Sequence, residues 1–260
     1  MDKEVAGYIE RKSMLYKTDV EYGDYTMNHV QGCAHGCNYP CYAFLMAKRF
    51  GKLKSYDDWL RPYLVSNTLE LLDKEIPKLK NKIKMVQLCF TTDPFMYGYN
   101  EIRKMSLNSI KKLNDANIPC SLLTKGILPS ELSNYSKKNI YGITLVSLSK
   151  KFHDDYEPFS ADSEKRIKAL QNLHEKGCKT WVSIEPYPTP NIVEQDINDI
   201  LNKICFVNRI VFGRTNYNKA ISSYNNHKVF YNEQAQIVID FCKNNKIDYH
   251  IKNGTLSKGV

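Results

Sequence analysis

Apolar and polar positions along the chain follow a repeating order: a short apolar run, polar punctuation, then a longer amphipathic stretch. Seven runs have the length and the β-branched or apolar character of strands: Tyr25–Val30, Met85–Phe90, Cys120–Thr124, Ile143–Leu148, Thr180–Ile184, Arg209–Phe212 and Asp248–Ile251. Between them, Glu101–Ala116, Asp162–Lys176, Glu194–Lys203 and Glu233–Asn244 repeat apolar residues at helical spacing. Ser130–Lys138 predicts a shorter helix. Asp57–Lys80 predicts a long one, kinked or split at Pro62 and Pro77, because proline lacks the backbone donor and crowds the preceding turn. Asp162-Ser163-Glu164 supplies capping oxygens and first-turn negative charge, and Gly177 supplies a helix stop.

Strands alternating with helices predict a parallel sheet with helical crossovers. Six or seven such units describe an α/β fold, a partial (β/α)6 TIM-type barrel. One domain over residues 1–260 is expected, with its core at about residues 20–252. In that architecture functional groups collect at the C-terminal ends of the strands, and this rule selects which polar residues receive a role.

Composition narrows the class. With 42% hydrophobic and 25% charged residues the chain is expected to fold rather than remain disordered. A net charge of +9 favours polyanionic partners such as nucleic acid, although the abundance of Lys and Asn offers a plainer source for it. No apolar run approaches the ~20 residues needed to span a bilayer, and Met1–Glu10 has no signal-like apolar core. A cytoplasmic protein with no membrane partner is expected. Of eight cysteines, 33, 37 and 41 fall within nine residues. The other five sit mostly in apolar segments and read as buried thiols. In a reducing compartment such a trio suggests a metal rather than a disulfide framework.

The trio occupies Gly32-Cys33-Ala34-His35-Gly36-Cys37-Asn38-Tyr39-Pro40-Cys41-Tyr42, directly after the first strand. Three thiolates from one compact loop suit an iron–sulfur cubane with one iron left open, and Gly32 and Gly36 permit the sharp turns required. Structural zinc takes four protein ligands. His35 is the one nearby candidate for a fourth, at poor spacing, and no second cysteine pair follows. Zinc is the lesser alternative.

These residues resemble the cluster loop of radical S-adenosylmethionine enzymes, in the branch of spore photoproduct lyase and the DNA repair photolyase-like proteins. That family spaces its cysteines by three residues and then two, with an aromatic before the third. Here the spacing is three and three, with Tyr39 at the aromatic position and Pro40 as a one-residue insertion. The similarity extends through Asp24–Asn28, Thr91-Thr92-Asp93-Pro94-Phe95, Leu123-Thr124-Lys125, Glu157-Pro158 with Arg166 and Gly177, and Trp181–Pro186. The resemblance implies a [4Fe-4S] cluster on Cys33, Cys37 and Cys41. Its open iron would bind S-adenosylmethionine, reductive cleavage would give a 5′-deoxyadenosyl radical, and hydrogen abstraction would follow. It also implies an electron donor such as flavodoxin or ferredoxin.

Strand-end chemistry then nominates cofactor-binding residues. Lys125 is placed to pair with the methionine carboxylate, and Thr92 and Asp93 to accept from its ammonium. Ser147 and Ser149, on one face of the fourth strand, are nominated for ribose or carboxylate, and Glu185, following Ser183 on one face of the fifth, for ribose or substrate. Tyr39 and Tyr42 are nominated to pack on adenine, and Arg214 and Asn216 to line the substrate mouth. Cys89 stands four residues before Asp93. The hydrogen-donating cysteine of spore photoproduct lyase stands three residues before the matching position, so two-residue alternation puts Cys89 on the opposite face and it reads as a buried thiol. The competing functional reading is a non-catalytic nucleic-acid-binding module with zinc or an iron–sulfur centre. A scaffold that binds S-adenosylmethionine without turnover is a third.

Overall fold

The computed structural model describes residues 2–19, 23–39, 41–51, 53–216 and 218–257. Seven strands, β1 (Tyr25–Met27), β2 (Val86–Leu88), β3 (Cys120–Thr124), β4 (Ile140–Thr144), β5 (Lys179–Tyr187), β6 (Arg209–Arg214) and β7 (Asp248–Ile251), lie side by side in chain order. Every adjacent pair is parallel. A two-residue strand, Tyr16–Lys17, adds antiparallel to β1 at one edge, and β7 forms the other. The two edges do not pair, so the sheet curls into an open, partial barrel.

Parallel neighbours need crossovers, and helices supply them. They are α1 (Tyr42–Arg49), α2 (Thr68–Leu79), α3 (Asn100–Asp115), α4 (Lys150–Tyr156), α5 (Ser163–Glu175), α6 (Ile197–Lys203) and α7 (His227–Asn245). Strand alternation sorts the side chains. Val86, Leu88, Cys120, Leu122, Tyr141, Ile143, Val182, Ile184, Ile210 and Phe212 enter one buried core with apolar residues of the helices. Ile110 and Leu113 of α3, Leu170 and Leu173 of α5 and Val238 of α7 are among them. On the opposite face Trp181 fills the lumen beside Gly142, its register partner. A Cβ at Gly142 would lie 2.3 Å from the indole Nε1, which itself donates to Leu122 O at 3.2 Å.

Several predicted elements differ from those observed. The stretch Tyr25–Val30 ends as a barrel strand at Met27. Val30–Gln31 instead pairs antiparallel with Tyr63–Val65, to which Gly7–Ile9 adds in parallel. The predicted long helix is split at Pro62 into a one-turn helix Tyr56–Trp59, the strand Tyr63–Val65 and α2, whereas Pro77 sits inside α2 without dividing it. Ser130–Lys138 is a 3₁₀ turn over Ser130–Asn134. The fourth strand is Ile140–Thr144, earlier than predicted, so Ser147 and Ser149 do not share a strand face. Ser149 instead caps α4, its hydroxyl accepting from Phe152 N at 3.3 Å. Helices α1 and α4 were absent from the expectation; at eight and seven residues they are too short for a clear period. Asp162 does stand at the N-cap of α5, but its carboxylate pairs with Lys165 at 2.7 Å and caps no amide. Gly177 ends that helix with φ of 76°.

Candidate active site

The cysteine loop leaves the C-terminal side of β1 and is tied down from three directions. Cys33 N–H donates to Trp59 O at 2.8 Å, and the Tyr56 hydroxyl donates to Cys37 O at 2.7 Å. Asn38 bonds Tyr156 O through its backbone and Asp155 O through its side chain. Gly32 and Gly36 both take left-handed φ, 87° and 67°. A Cβ at Gly32 would stand 2.8 Å from Arg61 O and 2.9 Å from Trp59 O, and one at Gly36 would meet the Phe159 ring. Only glycine satisfies both the torsion and the space.

All three thiols are free and partly buried. Burial pushes Cys33 well above the usual thiol range and Cys37 up to about 11, with Lys125 pulling the latter back. Among the described residues no three His, Cys, Asp or Glu side chains gather about the place of one metal ion. A tetrahedral zinc site would need four ligands about 2.0–2.3 Å from one centre. A cubane takes each thiolate on a different iron, and three thiols on one loop fit that donor set. Pro40, the insertion, lies outside the described residues.

Two buried polar networks join this loop to the strand ends. In the first, Asp93, just past β2, accepts from Phe95 N (2.8 Å), Thr124 Oγ1 (2.6 Å) and Lys125 N (2.7 Å). His35, between the first two cysteines, adds its Nδ1 at 3.5 Å from the same carboxylate. Tyr97 N–H donates to His35 Nε2 at 3.1 Å, which leaves Nδ1 as the protonated nitrogen. Burial holds His35 neutral, its pKa down to about 4. Asp93 is thus a hub fixing the ends of β2 and β3 and the cluster loop together.

The second network surrounds Cys37. The Lys125 ammonium lies 2.9 Å from Glu157 Oε1, 3.6 Å from Cys37 Sγ and in contact with the Tyr39 hydroxyl. Tyr39 also donates to Glu157 Oε1 at 2.6 Å. Arg166 pairs with Glu157 Oε2 at 2.9 Å and donates to Thr144 O at 2.7 Å. Burial alone would raise the Glu157 carboxyl, but Lys125 and Arg166 hold it far below the carboxylate range. Burial would likewise lower Lys125, yet Cys37 and Glu157 hold it above the ordinary lysine value. The Tyr39 ring packs with Phe152 and Tyr156 and lies under the Lys125 ammonium, 4.6 Å from the ring centre.

The remaining nominated residues fall into separate places. Thr92 spends its hydroxyl on Val30 O at 3.4 Å. Tyr42 opens α1 and is half exposed. Ser147 is buried and accepts from Ser149 N at 3.1 Å. Ser183 is buried on β5. Glu185, near the end of the same strand, lies over Gly213 of β6, where a Cβ would be 2.9 Å from its carboxyl carbon, and faces Lys252 at 3.8 Å. Arg214 Nε donates to Asn216 Oδ1 at 3.0 Å. The fold therefore brings Cys37, Tyr39, Asp93 and Lys125 together, and sets Glu185, Arg214 and Asn216 at the β5–β6 side of the mouth.

Cys89 is buried, in line with its reading as a buried thiol, but the alternation argument does not reach it. β2 ends at Leu88, and Cys89 has φ of 50°. Its thiol lies 3.4 Å from His29 Nδ1. His29 Nε2 is 2.7 Å from Ser106 Oγ, whose hydroxyl donates to Pro94 O. Ser106 must therefore accept from Nε2–H, leaving Nδ1 to accept the S–H.

Three members of the networks, His35, Glu157 and Arg166, received no role in them from the sequence, which offered His35 only as a fourth zinc ligand. Glu157 and Arg166 were visible within the family-like segment, but nine residues of separation did not reveal that they form a pair. For His35 the only signal was its place between two ligand cysteines.

Comparison with known proteins bears on the family and the fold. The sequence profile of the Radical SAM superfamily matches residues 27–204. An uncharacterized protein of Methanocaldococcus jannaschii is 30% identical over 189 residues, 72% of this chain and 68% of that one. An uncharacterized protein of Acidianus two-tailed virus is 26% identical over 188 residues, 69% of this chain and 61% of its own length, so the match spans less than two thirds of the viral protein. Among solved structures, spore photoproduct lyase complexed with dinucleoside spore photoproduct superposes with a TM-score of 0.70 at 12% identity, covering 94% of this chain and 80% of that one. A radical S-adenosylmethionine methyltransferase of Kitasatospora setae with cobalamin and a [4Fe-4S] cluster bound gives 0.50 at 12% identity, over 72% and 33%. With the profile covering more than half of its length, the chain belongs to the radical SAM superfamily.

Proposed function

We propose that this protein is a radical S-adenosylmethionine enzyme whose cluster is held by Cys33, Cys37 and Cys41. The observation that carries the reading is the glycine-hinged loop presenting three free thiols at the C-terminal side of β1, anchored by two buried polar networks. When bound, a [4Fe-4S] cluster with S-adenosylmethionine supplies one-electron cleavage of the sulfonium and a 5′-deoxyadenosyl radical that abstracts hydrogen. The chain's residues hold the loop, exclude water and present charge. Asp93 and His35 fix the loop against the ends of β2 and β3. Tyr39 anchors it through Glu157 rather than offering a ring face to adenine. Ser183 and Glu185 are assigned to a bound nucleoside, and Arg214 and Asn216 to substrate.

The basic charge, together with a structural neighbour solved with a dinucleoside photoproduct, favours a nucleic-acid substrate. A one-electron donor protein is its expected partner. The test is anaerobic reconstitution with iron and sulfide, then reduction in the presence of S-adenosylmethionine. Wild type should release 5′-deoxyadenosine and Cys37→Ala should release none. A fully loaded cluster that yields no product would overturn the enzymatic reading.

A further inference from the structure

The Cys37 network contains more positive charge than its own acid neutralises. Lys125 and Arg166 are cationic and Glu157 is the one carboxylate between them, so the group carries one net positive charge. It is deeply buried: Glu157 and Arg166 are each 2% exposed, and the Lys125 side chain is 13% exposed. A buried excess charge is costly unless an anion compensates it. Asp93 is the other buried carboxylate nearby and accepts from the Lys125 backbone N–H, whereas the ammonium itself lies 3.6 Å from Cys37 Sγ of the cysteine loop. A [4Fe-4S] core of charge 2+ on three thiolates carries one net negative charge, and two after reduction. A cation and N–H donor against one ligating sulfur stabilises the reduced form more than the oxidised one, since net charge and hydrogen bonds to sulfur set cluster potentials.

We propose that Lys125, held by Glu157, which Arg166 anchors in turn, donates to Cys37 Sγ and raises the reduction potential of the cluster, independently of any bound S-adenosylmethionine. Lys125 is thereby a tuning residue that acts through a cluster ligand. Glu157 sets the size of its effect in the opposite sense, by subtracting charge from the same network. The electron entering the cluster comes from an external one-electron reductant, and no bond to the protein is made or broken. This inference rests on the reading of the three cysteines as cluster ligands.

The experiment is a mediated redox titration of reconstituted protein without S-adenosylmethionine, read by the electron paramagnetic resonance signal of the reduced cluster. Iron and sulfide are counted in each sample. At fixed poise Lys125→Met should lower the reduced-to-oxidised ratio about tenfold, a shift of about 59 mV for one electron. Lys125→Arg should keep the ratio near wild type. Glu157→Gln, which removes the negative charge, should shift it the other way. A purely structural role would not give opposite signs, and a role confined to the carboxylate of S-adenosylmethionine would give no shift here. Loaded Lys125→Met and Glu157→Gln proteins that titrate with wild type would overturn the proposal alone. Wild-type protein that takes up no iron and sulfide would overturn the cluster reading, and this inference with it.

Discussion

Gly32 shows how narrowly a single residue is determined by what surrounds it. Its left-handed torsion and the two carbonyls within 3 Å of a would-be Cβ exclude every side chain without a backbone shift. Gly32→Ala should cost about 1–3 kcal/mol and lower the iron retained per chain, which denaturant melts and iron analysis on one preparation would measure. His29 offers a second residue-scale test. Burial depresses its pKa to about 3 from the usual 6.5. As pH falls below 6.5 the unfolded chain takes up a proton that folded His29 refuses until about pH 3. Stability from this group is therefore complete above 6.5 and declines through that window. Between pH 7 and 5 the loss is about 2 kcal/mol. Urea melts at the two pH values should show His29→Gln losing less than wild type by that amount. An unchanged pH slope in the variant would rule the assignment out.

At the scale of elements, short segments position the site more than long ones do. Helix α4 is seven residues long, yet Phe152 and Tyr156 on it pack against the Tyr39 ring, and the Tyr156 carbonyl holds Asn38 of the cysteine loop. Its N-terminus depends on the Ser149 hydroxyl. Ser149→Ala should cost about 1 kcal/mol. It should also speed loss of iron to a chelator, because the fraying begins where the helix supports Tyr39. Chelator-release kinetics beside a melt would check both; release at the wild-type rate would uncouple α4 from the loop. The long helices α3, α5 and α7 instead cover the sheet and set no functional side chain directly, Arg166 of α5 apart.

Across the whole molecule, the cysteine loop is stabilised by segments far apart in sequence. Gly7–Ile9 pairs with Tyr63–Val65, which pairs with Val30–Gln31 immediately before Gly32. Lys3 N–H bonds Gly98 O, and Asp2 accepts from Asn100 N at 3.0 Å, fastening the same arm to the loop after β2. Removing residues 2–9 should leave the seven-stranded sheet folded, by circular dichroism, while reducing iron uptake on reconstitution. Full uptake by the truncated chain would show that the small sheet does not support the loop. Among the described residues no helix is long and apolar enough to cross a membrane. The net charge of +9 remains the whole-chain property that bears most directly on substrate.

The amino-acid order alone determined the repeating strand and helix pattern, the parallel sheet it implies, and the cysteine trio with its glycines. Those depend on local periodicity and spacing, which are written in consecutive residues. It also placed Asp93 and Lys125 at strand ends. What Lys125 touches was decided by tertiary structure. The ammonium is claimed by Glu157, Tyr39 and Cys37, from segments 32, 86 and 88 positions away, and no local pattern encodes such a meeting. The same holds for Ser149, which moves from a strand face to a helix cap because β4 ends at Thr144. For His35, tertiary structure decided the role: its ring is buried where a carboxylate and a backbone amide already wait. Periodicity reports which face of an element is apolar. Burying the polar groups between elements, each of which must find a partner once water is excluded, is what assigns their contacts.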